Sequence, residues 1–384
     1  MLDRVFSILA VLSFVLTLWR WVVSERFPLH RRKNSPGTKP GLTLLKPLKG
    51  CDTETKRCLR SWFAQQYPGP VQILCGVAAA DDPVCALVRE LIAEFPGADA
   101  QLVLCVENLG ANGKVSTLRQ LEPRIRHPLI MVSDADVEVP RDFADGIAPL
   151  LAAPGAGLVN CFYRLANPAT GAMHWEAIAI NADFWSQVLQ SRSLRPVDFA
   201  LGAVMSMPAT MLRQIGGFAP LSDYLADDYQ LGRNITRAGG RIEFASVVVD
   251  CREAPIGWKE VWKHQLRWAR TIRYCQPLPY LMSVLSNATL WPLLWLAFGA
   301  DRSAVSFFLV ALVFRVLSAV QEQKRLTQSN AHAGYWWLIL VKDLLDVTIW
   351  AAAFFGNSIE WSGERYRVTA GGRLLRLKNR PFKA

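Results

Sequence analysis

Paired aspartates supply the clearest chemical signal in this chain. Asp134 and Asp136 directly follow the apolar run 129–132. Two carboxylates separated by one residue at the end of a buried strand can share a divalent cation, and Mg²⁺ or Mn²⁺ held in this way often contacts phosphate oxygens as well. Turn capping explains many isolated Asp-x-Asp pairs, but a position directly after a strand favours a ligand site. We therefore predict a metal site for Mn²⁺ or Mg²⁺ at Asp134 and Asp136.

A second acidic pair, Asp227 and Asp228, stands at the start of a predicted helix that ends near Gly239 and Gly240. One acid in the first turn is enough to cap a helix and to interact favourably with its dipole. Capping therefore does not account for both residues. A carboxylate close to a phosphate site can act as a general base, so we predict a catalytic role for this pair.

Positive charge is concentrated in two segments that could meet a phosphate group. A glycine-rich stretch ends at Lys114 and leads into a predicted helix, whose free amides are suited to phosphate. The helical stretch 258–274 carries His264, Arg267 and Trp268 together with four further cations. An amphipathic basic helix with tryptophans typically lies in the membrane interface, whereas an inward-facing Arg would bind a departing diphosphate. Different faces of one helix can do both.

Short apolar runs alternate with helical patterns in the middle of the chain. The predicted buried strands are residues 42–45, 71–77, 101–106 and 129–132. The segments between them with helical spacing are 54–66, 83–95 and 115–124. These alternations predict parallel βαβ units and an open α/β sheet, whose ligands bind beyond the carboxyl ends of the strands. No Gly-x-Gly-x-x-Gly follows the first strand, so a dinucleotide-binding domain is disfavoured and a sugar-nucleotide site fits better.

Composition identifies a membrane protein with a large soluble part. Of 384 residues, 51% are hydrophobic and 20% are charged, which excludes a disordered or collagen-like chain. Residues 278–300 contain no charge and are long enough to cross a hydrocarbon core of about 30 Å. Residues 5–19 reach that length when Val22 and Val23 are added. The eight cysteines form no C-x-x-C pair, so zinc and redox motifs are disfavoured.

Charge around the first apolar segment predicts the topology. Only Arg4 precedes it and five cations follow it by residue 33, which favours an uncleaved anchor with the next domain in the cytoplasm. A cleaved signal peptide would need the opposite order. The predicted organisation is an N-terminal anchor (1–24), a basic linker (25–41), a cytosolic domain (42–256), an amphipathic interfacial helix (257–275), a C-terminal transmembrane region (276–356) and a basic tail (357–384).

The C-terminal region is predicted to contain up to three spans, at 278–300, 304–320 and 335–356. Arg315 in the second of them requires a buried partner or a path to the membrane surface. Three spans would put the basic tail outside, against the positive-inside tendency. One of these segments is therefore a candidate for an interfacial or re-entrant position.

Taken in order, these motifs resemble those of the ceramide glucosyltransferases, relatives of the large glycosyltransferase family 2. The likeness covers most of 42–275, and a further similar segment lies at 359–368 (IEWSGERYRV). The matching motifs are LKPLKG at 45–50, Asp81-Asp82-Pro83, Gly110-x-Asn112-x-Lys114, Asp134, Gly157-Leu158-Val159, Gly216-Gly217, Asp227-Asp228-Tyr229 and Arg267-Trp268. His264 replaces the Gln or Arg that begins the family's (Q/R)-x-x-R-W motif, and the full Asp-x-Asp departs from the animal enzymes. Both departures resemble bacterial relatives, including hopanoid-pathway glycosyltransferases.

The resemblance implies an α/β fold of the nucleotide-diphospho-sugar transferase type (glycosyltransferase A), an open sheet with helices on both faces plus N- and C-terminal transmembrane helices. The implied nucleotide-sugar-binding residues are Lys46, Pro47, Asp81, Asp82, Asn112, Lys114 and Asp134. Asp228, beside Asp227, would be the general base. Arg267 and Trp268, together with His264, would lie near the diphosphate and the acceptor.

The expected activity is inverting transfer of a hexose from a UDP-sugar to the hydroxyl of a membrane lipid at the bilayer, with no nucleic-acid partner. UDP-glucose and ceramide are the first pair that the resemblance implies. N-acetylglucosamine transfer to a hopanoid such as bacteriohopanetetrol is the alternative, and a polysaccharide synthase is a further one. The resemblance to bacterial relatives implies the bacterial inner membrane. The acceptor side is predicted at 162–201, with Trp175, Phe184 and Trp185.

Overall fold

In the computed structural model, which describes residues 2–31, 39–361 and 363–377, an eight-stranded sheet carries helices on both faces. Its strands are β1 (Leu42–Leu48), β2 (Val71–Val77), β3 (Asp99–Leu104), β4 (Leu129–Ser133), β5 (Val137–Glu138), β6 (Ala156–Leu165), β7 (Val204–Pro208) and β8 (Arg241–Cys251). A separate C-terminal sheet contains β9 (Ser358–Trp361), β10 (Glu364–Thr369) and β11 (Arg373–Arg376). The helices of the N-terminal half are α1 (Leu2–Arg26), α2 (Thr55–Phe63), α3 (Val84–Glu94), α4 (Gly113–Leu121), α5 (Phe143–Leu151), α6 (Gly171–Ile178) and α7 (Trp185–Leu194). The later helices are α8 (Ala209–Gln214), α9 (Asp227–Arg237), α10 (Trp258–Cys275), α11 (Pro277–Met282), α12 (Leu290–Gly299), α13 (Arg302–Thr327) and α14 (Leu338–Ala352).

The strand order is β3-β2-β1-β4-β7-β6-β8-β5. The four predicted strands are confirmed as β1 to β4, with ends shifted by a few residues, and they are parallel to one another. The prediction of parallel units is incomplete beyond them, because β7 runs antiparallel to both β4 and β6. The five-residue β7 follows a long helical insertion, so no strand–helix alternation reveals it.

Alternating side chains of the sheet divide the core into two layers. On one face, Leu42, Leu44 and Leu48 of β1 join a cluster with α2, α3 and α5. On the other face, Leu45 joins a cluster with α4, α8 and α9. Burying both faces explains why β1 and β4 are apolar along nearly their whole length. The sheet therefore holds the loops at its carboxyl edge in fixed positions.

Among the described residues, two helices are long and apolar enough to cross a membrane, α1 and α13. They lie side by side, with the Phe14 ring 5.1 Å from Phe314 and 5.8 Å from Phe307 between centroids. The predicted spans at 5–19 and 304–320 correspond to these helices. Of the predicted basic linker, residues 32–38 lie outside the described residues.

The predicted span at 278–300 is bent in the structure. Pro277–Ser286 and Leu290–Gly299 meet at a bend of 54°, which describes a broken span or a re-entrant loop. Asn287 explains the break, since its side-chain oxygen accepts the backbone N–H groups of Thr289 at 3.2 Å and Leu290 at 2.8 Å. The last predicted span, at 335–356, contains α14, whose 15 residues reach only about 22 Å.

Ion pairs join the apolar helices to the soluble domain. Arg315 in α13 is 2% exposed and contacts Asp183 and Asp343 with both ends of its guanidinium. Arg20 in α1 lies 3.1 Å from Asp183, and Lys342 in α14 also donates to it. Of the two alternatives predicted for Arg315, a buried partner or a path to the membrane surface, the structure shows the buried partner. Asp183 is the centre of a network that links three helices.

Candidate active site

One cavity of about 1580 Å³ opens at the carboxyl edge of the parallel strands and contains both predicted acidic clusters. Its wall includes the end of β1, the start of α4, the loop after β4, the start of α9 and one face of α10. It continues to the network around Asp183 and Arg315 beside the apolar helices. The polar residues on its wall include Lys114, Asp134, Asp136, Asp227, Asp228, His264 and Arg267.

The first cluster is held by backbone contacts after β4. The Asp134 N–H donates to Ala203 O at 3.3 Å, and the Arg252 N–H donates to Asp136 O at 2.9 Å. Both carboxylates therefore point away from the strand and into the cavity. The Asp136 side chain is accessible from the cavity but is surrounded by protein on its other sides. This desolvation, followed by the charge of Asp134, raises the pKa of Asp136 to about 6. Two close carboxylates repel each other unless a cation lies between them.

Lys114 connects the two acidic clusters. Its Nζ lies 2.7 Å from an Asp134 oxygen and 3.5 Å from an Asp227 oxygen. Burial alone would lower the pKa of Lys114, but Asp134 and Asp227 outweigh it and raise that pKa, so the side chain is cationic. The Oδ2 atom of Asp227 is nevertheless buried without a hydrogen bond. One cation, Lys114, therefore faces two carboxylates, those of Asp134 and Asp227.

Two backbone N–H groups hold Asp228 in place. Its Oδ1 accepts the Tyr229 N–H at 2.7 Å, and its own carbonyl accepts the Ala200 N–H at 3.3 Å. A Cβ on Gly202 would stand 3.0 Å from Asp228 Oδ2, so a larger residue there would have to displace the carboxylate by a few tenths of an ångström. Burial, followed by the charge of Asp227, raises the pKa of Asp228 to about 7. A carboxylate with this pKa can accept a proton near neutral pH.

Several predicted nucleotide-binding residues are used within the scaffold. Asn112 is fully buried and caps α4 by accepting the Val115 N–H at 3.1 Å. Asp82 accepts the Gly50 N–H at 3.0 Å, and neither Asp81 nor Asp82 lines the cavity. Asp82 thus ties the loop after β2 to the loop after β1. Pro47, by contrast, lies on the cavity wall.

Lys46 lies beneath the first cluster. It is 1% exposed, and its Nζ donates to Ser133 Oγ at 3.2 Å and to the backbone oxygen of Asp134. Burial lowers the pKa of Lys46 to about 8, although Asp136 and Asp134 partly offset the shift. It fixes the end of β4 from below and is absent from the cavity surface.

Helix α10 presents different faces to different surroundings. Arg267, His264 and Trp268 line the cavity, and no residue of the described chain hydrogen-bonds the Arg267 guanidinium. Burial lowers the pKa of Arg267, although not enough to discharge a guanidinium. On another face, Arg270 donates to Phe355 O at 2.9 Å and Arg273 to Gly356 O at 3.2 Å. Arg267 is left available for an anionic ligand.

The C-terminal sheet completes the cavity and was not predicted. The Leu225 N–H donates to Gly372 O at 3.0 Å, and Gln230 Nε2 donates to Gly371 O at 2.9 Å. These bonds attach the tail to the start of α9, next to Asp228. Trp361, Glu364, Tyr366 and Arg376 from this sheet line the cavity. The alternation in ERYRVT is the strand signal for β10, whereas residues 378–384 of the predicted basic tail lie outside the described residues.

The predicted acceptor side is partly wrong. Trp175 and Trp185 are 1% and 0% exposed, and they belong to hydrophobic clusters rather than to the cavity wall. Core packing accounts for both tryptophans. Phe184, the third predicted aromatic residue, does line the cavity.

The donor set fits a hard divalent cation. Asp134 and Asp136 offer carboxylate oxygens in the cavity, and Asp227 Oδ2 is buried nearby without a hydrogen bond. Oxygen ligands of this kind suit Mg²⁺ and Mn²⁺. An added positive charge would also relieve the repulsion that raises the pKa of Asp136.

Comparison with known proteins agrees with this architecture. Ceramide glucosyltransferase 1 of Caenorhabditis elegans is 23% identical over 374 residues, which cover 92% of this chain and 77% of that protein. Ceramide glucosyltransferase 3 of the same organism is 20% identical over 386 residues, covering 96% and 83%. Among solved structures, the mannosyltransferase PcManGT from Pyrobaculum calidifontis, in complex with GDP-Man and Mn²⁺, is similar with a TM-score of 0.54 at 20% identity, covering 90% of this chain and 99% of that one.

The structural likeness shows the glycosyltransferase A fold, as predicted. The profile of glycosyl transferase family 21 matches residues 5–374, which is nearly the whole chain. The chain therefore belongs to glycosyl transferase family 21 and is a hexosyltransferase with membrane-spanning helices.

Proposed function

We propose that this protein transfers a hexose from a UDP-sugar to a hydroxyl group of a membrane lipid, with inversion at the anomeric carbon. We propose UDP-glucose as the donor and ceramide as the acceptor. The observation that carries the proposal is the continuity of one cavity from the acidic clusters to the apolar helices. The names of the relatives as ceramide glucosyltransferases support the same pair.

The donor would occupy the end of the cavity at the sheet edge. Asp134 and Asp136 would hold Mn²⁺ or Mg²⁺, which supplies charge to the diphosphate when bound. Lys114 and the uncommitted guanidinium of Arg267 would contact phosphate oxygens, because both are cations that face the cavity. Negative charge grows on the diphosphate as the sugar departs, and cations fixed in advance stabilise that charge.

The acceptor would enter from the membrane side. Tyr280, Val284 and Trp350 line that end of the cavity with Phe184, beside the ion pairs of Asp183. Such a surface suits a lipid with an apolar body and a polar head. We place the catalytic domain in the cytoplasm, because more cations follow the apolar segment at 5–19 than precede it.

Asp228 would remove the proton of the lipid hydroxyl as its oxygen attacks the anomeric carbon. An alcohol has a pKa far above 7, so attack is slow unless a base accepts the proton. The new carbon–oxygen bond forms on the face opposite the departing UDP, and the electron pair of the broken bond goes to the diphosphate. An α-linked sugar nucleotide therefore gives a β-glycoside.

The pH dependence of transfer follows from Asp228. A base must be unprotonated to accept a proton, and the pKa of Asp228 is raised to about 7. We expect kcat/KM to fall about tenfold for each pH unit below about 7 and to reach a plateau above it. Initial rates at low donor concentration from about pH 5 to about pH 9 measure this. A flat profile through neutrality would remove Asp228 as the base.

Replacement of Asp134 with Ala is expected to weaken both metal and nucleotide binding. The change removes one of two paired carboxylates and the main partner of Lys114. We expect the Kd for UDP in the presence of Mn²⁺ to rise at least about tenfold, or about 1.4 kcal/mol. Titration calorimetry with and without Mn²⁺ checks this, and Asp99→Ala at an exposed ion pair is the matched control. An unchanged Kd would contradict the assignment.

A transfer assay tests the proposed substrates. The purified protein in detergent is given Mn²⁺ or Mg²⁺ and each combination of UDP-glucose or UDP-N-acetylglucosamine with ceramide or bacteriohopanetetrol, and products are identified by mass spectrometry. Glucosylceramide supports the first pair. An N-acetylglucosaminyl hopanoid keeps the mechanism and changes both substrates. Lipid-independent formation of a polymer would indicate a polysaccharide synthase and overturn the proposal.

A further inference from the structure

We infer that Glu176, Glu253 and His264 form a second divalent-cation site, separate from the site at Asp134 and Asp136. Each of the three residues offers one ligand atom, and these atoms all lie within 4.8 Å of one another. An imidazole nitrogen with two carboxylates suits a transition-metal ion such as Mn²⁺ or Zn²⁺ better than Mg²⁺ or Ca²⁺. The inference does not depend on the proposed substrates, because it concerns ion binding in the absence of donor and acceptor.

Three separate elements position the cluster. Glu176 is on α6, Glu253 follows β8 and His264 is on α10. The backbone of Glu253 is fixed by Asn167, whose Nδ2 donates to the Glu253 carbonyl at 3.0 Å. Gln265 Nε2 donates to Glu176 Oε1 at 3.0 Å. These contacts fix the backbone of Glu253 and the side chain of Glu176.

The hydrogen bonding of Glu176 points to a missing ligand. This residue is 2% exposed, and its Oε2 atom is buried without a hydrogen-bond partner. The other oxygen, Glu176 Oε1, lies 3.7 Å from His264 Nδ1, which is longer than a hydrogen bond. No residue of the described chain donates a hydrogen bond to the Glu253 carboxylate, and Glu176 accepts one at Oε1 alone, from Gln265. A buried carboxylate oxygen without a donor is costly, and a bound cation would satisfy it.

Protonation of His264 is the competing explanation for the cluster. An imidazolium would supply one positive charge to the two carboxylates without any ion. The two explanations differ at the nitrogen, since a metal ligand must be a neutral imidazole with a free electron pair. Direct detection of nitrogen beside a bound ion therefore separates them.

An ion at this site would also hold α10 in place. Arg267 lies three residues after His264 on the same helix, and Trp268 stacks with the His264 ring at 6.4 Å between centroids. Cross-linking α10 to α6 and to the segment after β8 would restrict the movement of Arg267. His264 and the two glutamates act in this scheme as positioning residues.

Pulsed electron paramagnetic resonance on Mn²⁺-loaded protein tests the inference. The full-length protein, without a polyhistidine tag, is studied in detergent in the absence of nucleotide. The site at Asp134 and Asp136 offers carboxylate oxygens only, so directly bound ¹⁴N identifies the second site. We expect ¹⁴N modulation in the wild type and in the Asp134→Asn/Asp136→Asn double variant, and its loss in His264→Gln. Absence of ¹⁴N modulation in the wild type, or its persistence in His264→Gln, would overturn the inference.

A stoichiometry measurement guards against loss of folding. Mn²⁺ bound after dialysis is expected to fall by one equivalent per chain in Glu253→Gln, which preserves side-chain shape. Glu260→Gln, at an exposed position on α10, is the matched control and is expected to keep that equivalent. Circular dichroism confirms that each variant is folded before the ion is counted. Retention of the full equivalent in folded Glu253→Gln would also overturn the inference.

Discussion

Replacing Asp228 with Asn is expected to lower kcat by about 10²-fold to 10⁴-fold, the range that a general base contributes. The amide keeps the shape of the side chain and can still accept the Tyr229 N–H, which lies 2.7 Å from Asp228 Oδ1. It cannot take the proton of the acceptor hydroxyl. Lys114 contacts Asp134 and Asp227 rather than Asp228, so the nucleotide site is preserved. Binding of UDP should therefore stay within about twofold of the wild type.

The combination of lost turnover and retained UDP binding is the signature of this role. Single-turnover kinetics and titration calorimetry on the same preparation measure the two quantities. Asp198→Asn is a matched control, because this half-buried aspartate lies outside the cavity wall. It is expected to keep most of the wild-type rate. If Asp228→Asn kept more than about a tenth of that rate, another group would have to be the base.

Replacing Arg315 with Met is expected to destabilise the protein by about 3–5 kcal/mol, the cost of removing one partner from a buried ion pair. Arg315 lies between two buried carboxylates, with contacts of 2.9–3.0 Å to Asp183 and 2.7–2.8 Å to Asp343. Methionine fills similar space but leaves both aspartates short of positive charge. Arg20 and Lys342 still contact Asp183. The ionic contact that remains to Asp343 is the longer one of 3.7 Å to Lys342, so Asp343 loses more of its neutralising charge than Asp183 does.

Equilibrium unfolding of the detergent-solubilised protein measures this effect. Arg302→Met is the matched control on the same helix, because Arg302 is exposed at the start of α13. Its effect should stay within about 0.5 kcal/mol, as for most surface substitutions. If Arg315→Met were as stable as Arg302→Met, the network would not be what holds α13 against the soluble domain.

Chemistry could be predicted from the sequence where it follows a strong local pattern. Parallel topology places Asp134 at the carboxyl edge of the sheet, directly after a buried strand. Asp228 begins a helix that comes after the antiparallel β7, so its place in the same cavity depends on tertiary packing. Lys114 was predicted to contact phosphate from its position at the start of α4. The structure adds that it connects the two acidic clusters. Such a contact depends on the packing of distant elements, which no local pattern records.

Other features could not be predicted because tertiary partners decide them. Asn112 matches a family motif, yet the structure uses it to cap α4 and to donate to Tyr224 O at 2.8 Å. The break at Asn287 interrupts an uncharged segment that looks continuous by composition. The C-terminal sheet gains its place from hydrogen bonds to the start of α9, more than a hundred residues away in sequence. In each case the deciding contact is long-range.

The anomeric configuration of the product tests the central claim most directly. Wild-type protein is supplied with UDP-glucose labelled with ¹³C at the anomeric carbon, ceramide and Mn²⁺, and the extracted glycolipid is examined by nuclear magnetic resonance. Direct attack by a lipid hydroxyl, with Asp228 as base, predicts a β-linked glucosylceramide, formed about 10²-fold to 10⁴-fold more slowly by Asp228→Asn. An α-linked product would require a different chemical route. Failure to form any glycolipid while UDP still binds would show that this cavity does not serve ceramide.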